Sequence, residues 1–438
     1  MAVMMAVASP EAAERAGAQD GGASSLARPL ASSGRCIYLD YNATTPIARE
    51  VAARMEPFLW AEFGNPSSSH FFGAPSAAAV REARGEVAAM LGAERALAAE
   101  EIVFVSCGTE ANNWAISGAV ERSARAGGAP PHVVTSSFEH PAVLERLRAL
   151  EGAGRATWTA VDPGADGIVR PGAVAAALTP RTCLVTVMHS NNEVGTIQPI
   201  AEIARAVRAA PHAPAGVLVH TDAAQSCGKV PVRVGELGVD MATVVGHKFG
   251  APKGVGALYI RRGTSLPNFL HGGGQERARR AGTENVLHIV GLGEAAGLVN
   301  REGKRITAHL RATRDALRRE LERRAGGGPG PRVAIAVNGH PGDERAYAER
   351  VLPNTLSVSF PGVSASAVLA RIGDRVACSA SAACHSECTS ISHVLRAMRV
   401  PEEVAVGTLR LSTGRHSTEA EMAAAAEVIL AAVREEMR

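Results

Sequence analysis

The sequence predicts an α/β fold: a mostly parallel sheet covered by helices on both faces, followed by a smaller C-terminal α/β domain. Three observations predict it. Short apolar runs alternate with Ala-rich helical windows from residue 35 to about 300. Those runs are continuous rather than alternating apolar and polar, as expected of strands buried on both faces. The pattern then breaks at a long charged helical window, 300–324, and a Gly/Pro-rich loop, 324–331. The expected organisation is a tail over 1–34, a large domain over 35–300 and a small domain over 301–438.

Taken in order, Ile-Val-Phe-Val-Ser at 102–106 predicts a strand, with a helix over about 109–123. His-Val-Val-Thr-Ser at 132–136 predicts a second strand, with a helix near 141–151. The runs at 183–188, 217–221, 241–245 and 256–260 continue the series. Beyond the loop, 333–337 and 356–360 predict strands, and 418–436 predicts the last helix.

Composition bounds the function. The chain has 438 residues, 46% hydrophobic, 20% charged and only 4% aromatic, with a net charge of +3. That balance suits a soluble enzyme and excludes an electrostatic case for nucleic acid or membrane partners. No apolar run approaches the roughly 20 residues of a membrane-spanning helix. The first 34 residues, rich in Ala, Gly and Ser, read as a disordered tail with no signal core, and the chain is expected in the cytosol. Seven scattered cysteines form no secreted disulfide framework.

In α/β folds ligands lie beyond the carboxyl ends of the strands, where Ser106, Ser136, Asp222 and Lys248 fall. Lys248 ends an apolar run and is followed by Gly and Pro, a setting in which a desolvated amine can lose its proton and add to an aldehyde. Asp222 ends another. A lysine for the aldehyde carbon and a carboxylate for the pyridine nitrogen are what pyridoxal phosphate needs. Ser-Cys-Gly108-Thr109-Glu-Ala-Asn-Asn lies between a strand and a helix, where free N–H groups favour a phosphate or a Ser/Thr cap.

His140, in Phe-Glu-His-Pro, could stack on a flat ring and move protons, or be structural. Asn192 offers an amide beyond another strand end, and Arg415 a guanidinium suited to a carboxylate. The segment Cys378 to Cys388 lacks a repeated CxxC pair, so no metal is expected there. Its Ala/Ser-rich loop suits a mobile nucleophile, Cys384, with His385 beside it to help form the thiolate.

Together the motifs resemble the class V, fold-type I pyridoxal phosphate enzymes, in the cysteine desulfurase and selenocysteine lyase branch. Those that carry the likeness are 38–46, 64–68, 108–112, 220–225, Gly-His-Lys at 246–248, 272–277 and Ala-Cys-His-Ser at 383–386. The resemblance implies a large domain with a seven-stranded sheet, and a homodimer with the site at its interface. It implies that Lys248 carries the cofactor, His140 stacks on its ring and Asp222 pairs with its pyridine nitrogen. Gln225 and Asn192 would touch the ring hydroxyl or the substrate. Gly108, Thr109 and His247 would bind the phosphate, and Thr283 would reach the phosphate in the partner subunit. Arg415 would hold the substrate carboxylate, and Cys384 would accept the chalcogen.

Within the branch, Val245 before Gly-His-Lys, His385 after Cys384 and the Asp-Tyr-Asn-Ala-Thr-Thr-Pro start favour selenocysteine as substrate, giving alanine. Cysteine desulfuration, with persulfide passed to an acceptor protein, is the alternative. A scaffold that has lost catalysis is a second.

Overall fold

The computed structural model describes residues 36–438, apart from 126, 328–330, 340–342 and 386–387 and the side chains of 382–390. The expected tail therefore lies outside the described residues. Seven strands form the main sheet: β1 (Ile102–Val105), β2 (His132–Ser136), β3 (Thr157–Val161), β4 (Thr182–Thr186), β5 (Leu218–Asp222), β6 (Met241–Val245) and β7 (Gly256–Ile260). Their spatial order is β1-β7-β6-β5-β4-β2-β3. All neighbours run parallel except at β7, which is antiparallel to both β1 and β6. Six of the seven agree with the apolar runs to within two residues.

The run of apolar strands does not announce β3, Thr-Trp-Thr-Ala-Val, which stands at the sheet edge with two exposed residues. An edge strand needs no continuous apolar signal, because one of its flanks is open to water.

Besides a cluster of Trp114, Leu147, Leu184 and Leu258 on one face of the main sheet, two larger cores fill the described residues. One packs around the main sheet and includes Ile289, Leu292 and Leu298 from a 41-residue helix, Val286–Gly326. The other includes Leu317 and Leu321 from the same helix, together with Leu356, Leu409 and Ile429. That helix starts well before the sequence break at 300 and joins the two cores. The second core surrounds an antiparallel sheet in which Thr355–Ser359 pairs along its length with Thr408–Ser412. Leu39, near the start of the described chain, is buried there too. A hairpin pairs Ala382–His385 with Cys388–Ile391, where the sequence suggested a loop. Among the described residues, no helix is long and apolar enough to cross a membrane.

Candidate active site

A cavity of about 250 Å³ opens beyond the carboxyl ends of β5 and β6, and the chemistry-bearing residues converge on it. Its lining includes Gly108, Thr109, His140, Asn192, Asp222, Gln225, His247 and Lys248.

Lys248 ends a short 3₁₀ turn, Gly246–Lys248, directly after β6. The turn closes through Phe249 N to Gly246 O at 3.1 Å, and Gly250 follows with φ 98°. That left-handed backbone suits glycine and swings the chain away from the cavity. The Lys248 Nζ donates to Asn42 O and Ala43 O, both at 2.8 Å. Burial and then the Arg410 guanidinium push this amine down to about 8, against the opposing pull of Asp222 and Asp40. An appreciable fraction is therefore uncharged near neutral pH.

Asp222 is the last residue of β5 and is 6% exposed. Its Oδ1 accepts from Ala224 N at 2.9 Å and its Oδ2 from Asn112 Nδ2 at 2.6 Å. The Asn112 Oδ1 in turn accepts from Thr243 Oγ1 at 2.7 Å. This fixes which end of the Asn112 amide faces the carboxylate.

His140 is the N-cap of the helix Pro141–Gly152, with Pro141 at its start. Proline suits that position because its missing N–H has no partner there anyway. The His140 Nδ1 accepts from Ala142 N at 3.1 Å, so a neutral ring carries its proton on Nε2. Burial pushes the imidazole below its ordinary value, and Lys248 adds to that, so the neutral form is favoured.

The 17-residue helix Gly108–Ala124 points its start at the cavity, and no side chain caps it. Its first N–H groups are therefore available to an anion. A Cβ at Gly108 would meet Val245 Cγ2 at 2.5 Å, so only glycine fits this close approach. Burial, with Lys248 and Lys253, pushes His247 down to about 4, and its Nδ1 lies 3.1 Å from Thr44 Oγ1. With Thr44 donating to Nδ1, Nε2 can offer a proton. A carboxylate, an aldehyde-reactive amine, a flat-ring neighbour and an uncapped helix start on one cavity make a donor set that fits pyridoxal phosphate.

Two expected residues are not brought to this cavity. Arg415 turns to Glu50 at 3.1 Å and Glu302 at 3.3 Å, and it lines a separate cavity of about 70 Å³ behind Lys248. Arg410, rather than Arg415, reaches the cavity. It lines the cavity of Lys248, pairs with Asp40 at 2.7 Å and donates to Asn192 O at 3.1 Å, while its buried Nε has no partner. Strand pairing explains the exchange. Arg410 lies inside Thr408–Ser412, whereas Arg415 lies beyond its end, past Gly414. Thr283 is exposed and lines a third cavity with Ser106 and Arg280, so within one chain it does not reach Lys248.

Cys384 has its backbone opposite Thr389 in the hairpin, and its side chain is outside the described residues, as is that of His385. Among the described residues no cluster of His, Cys, Asp or Glu could hold a metal.

Sequence reasoning also passed over Asn42, Asn112 and Arg410. Asn112 was discoverable, because it follows Gly108 by four residues and so shares its helix face. Asn42 and Arg410 reach the cavity only through folding of distant segments.

The family described as aminotransferase class-V matches residues 37–424. The chain is 41% identical over 390 residues to a protein named cysteine desulfurase IscS from Dictyoglomus turgidum, covering 89% of this chain and 92% of that one. Among solved structures, one titled NifS-like protein superposes with a TM-score of 0.78 at 34% identity, covering 90% of this chain and 98% of that one. Another, titled SspA in complex with cysteine, gives a TM-score of 0.71 at 32% identity, covering 87% and 99%.

Proposed function

The chain belongs to the class-V aminotransferase family, among NifS-like pyridoxal phosphate enzymes, and on that premise we propose that it is a cysteine desulfurase. The names of its relatives favour cysteine over selenocysteine, the substrate that Val245 and His385 first suggested. The observation that carries the reading is the Lys248 amine, depressed to about 8, on one cavity with Asp222 and His140.

Bound there, the cofactor would supply the electron sink for the bonding electrons released at the substrate Cα. Lys248 would hold it covalently, and the freed Lys248 amine would lift the Cα proton and return one. Asp222, oriented by Asn112 and Ala224, would hold the pyridine nitrogen. Gly108, Thr109 and His247 would bind the phosphate, and Gln225 the ring hydroxyl.

Arg410 rather than Arg415 would grip the substrate carboxylate. Its unpartnered Nε and its place on the cavity support that role. His140, with its proton on Nε2, would stack on the ring and shuttle protons. The Cys384 thiolate would attack the substrate sulfur. An S–S bond forms, the C–S bond breaks with its electron pair left on carbon, and protonation of that carbon ends in alanine. The persulfide would pass to an acceptor protein. Thr283, exposed and remote from Lys248 in its own chain, would serve the site of the partner in a homodimer.

The test is to supply cysteine and selenocysteine separately to the purified protein and to measure alanine and the chalcogen on Cys384. Cysteine turnover with a Cys384 persulfide supports the reading. Turnover of selenocysteine alone would restore the selenocysteine lyase, and alanine from neither substrate would overturn both.

A further inference from the structure

Behind the cavity lies a second lysine that the proposed chemistry does not use. Lys229 is 4% exposed. Its Nζ donates to Asn42 Oδ1 at 2.9 Å and to Gln225 Oε1 at 2.8 Å. Both acceptors belong to groups that shape the site. The Gln225 amide then points its Nε2 at Asn42 O, 3.0 Å away, and lines the cavity. The same Asn42 O is one of the two seats of the Lys248 amine. Asn354 Nδ2 shares Asn42 Oδ1 at 3.0 Å, and Thr307 Oγ1 holds the Lys229 carbonyl at 2.7 Å.

The donor count is informative. An ammonium carries three N–H donors and a neutral amine two, and two acceptors are present. No carboxylate pairs with Lys229 among the described residues. The charged and titratable groups acting on it are Lys248, Arg410 and Cys227. The first two are cations, and burial pushes the Cys227 thiol up to about 12, so it stays neutral. Burial and these cations all disfavour charge on Lys229.

We propose that Lys229 is a positioning residue, held as a neutral amine, whose two hydrogen bonds lock the Asn42 and Gln225 side-chain amides on the wall of the cofactor cavity. The inference rests on the cofactor and not on whether cysteine or selenocysteine is the substrate. An uncharged donor orders the site without adding a second positive charge beside Lys248.

The test uses the full-length holoprotein and its K229M and K229R variants. One readout is the pH midpoint of the visible absorption band of bound pyridoxal phosphate, which reports the proton on the Lys248 nitrogen. The other is cofactor affinity by titration. Loss of the buried donor in K229M should weaken cofactor binding about tenfold and leave the midpoint in place. The fixed charge of K229R should lower the midpoint by roughly one unit. A midpoint that rises in K229M while K229R matches the wild type would show an ammonium and overturn the proposal. So would affinity and midpoint unchanged in both variants. Should K229R fail to fold, K229M decides alone: weaker binding at an unmoved midpoint upholds the proposal, and any other result overturns it.

Discussion

Asn112 Nδ2 donates to Asp222 Oδ2 across 2.6 Å, joining the second turn of the helix Gly108–Ala124 to the end of β5. The helix start proposed to bind the phosphate and the carboxylate proposed to pair with the ring nitrogen are thus held by one bond.

Asn112→Ala should therefore loosen both ends of the cofactor site. A hydrogen bond to a charged group contributes about 1.5–3 kcal/mol, so cofactor affinity should fall roughly ten- to a hundredfold. Fluorescence titration of the apoprotein measures this. Affinity equal to wild type would remove Asp222 from cofactor binding.

The two arginines make opposite predictions. Arg410→Ala should raise KM for the amino acid about a hundredfold, the scale of a charge-assisted carboxylate contact. Arg415→Ala removes partly exposed ion pairs to Glu50 and Glu302 and should change KM less than about threefold. The reverse ranking in steady-state kinetics would return the carboxylate to Arg415.

Lys248 acts as a base only when uncharged, and its value is pushed down to about 8. Exchange of the alanine Cα proton with D₂O, followed by NMR, should therefore rise with pH and level off above about 8. Arg410 is the second cause of that depression, so Arg410→Gln should move the rise to higher pH. A rise centred near the ordinary lysine value in the wild type would contradict the desolvated amine.

Glu139 lies beside His140, is fully buried and is pushed up to about 8 by burial. Its Oε1 accepts from Met188 N at 2.9 Å, while Oε2 has no partner. A raised carboxyl binds its proton more tightly folded than unfolded. It therefore favours the folded state at low pH and loses that advantage as pH rises from about 4.5 towards 8. Glu139→Gln, which stays neutral, should flatten the fall in Tm over that window. An unchanged pH dependence would mean that Glu139 is ionised in the fold.

Cys384→Ala should keep the cofactor and the alanine proton exchange yet form no persulfide. Persulfide found by mass spectrometry on Cys378 instead would move the nucleophile. Burial pushes the Cys378 thiol up to about 12, which argues against it as a thiolate.

The fold was largely legible because strands buried on both faces must be continuously apolar, as at Met241–Val245 and Gly256–Ile260. Lys248 and Asp222 were legible for the same reason, since each stands where such a run stops. Strand β3 was not, because only its last residue is buried and two of its five are exposed, so it carries no continuous apolar run. Arg410 was missed because its place depends on pairing with the strand Thr355–Ser359, some fifty residues away in the chain. Arg415 carried an equally plausible local signal and lost to geometry. Asn42 and Lys229 act through hydrogen bonds between segments, which periodicity cannot reveal.

The most direct measurement is borohydride reduction of the cofactor-loaded protein followed by peptide mapping. The mass of the reduced cofactor should appear on Lys248 and nowhere else, and Lys248→Ala should take up no label. Label on Lys229 or on a surface lysine, with Lys248 unmodified, would contradict the assignment of the site.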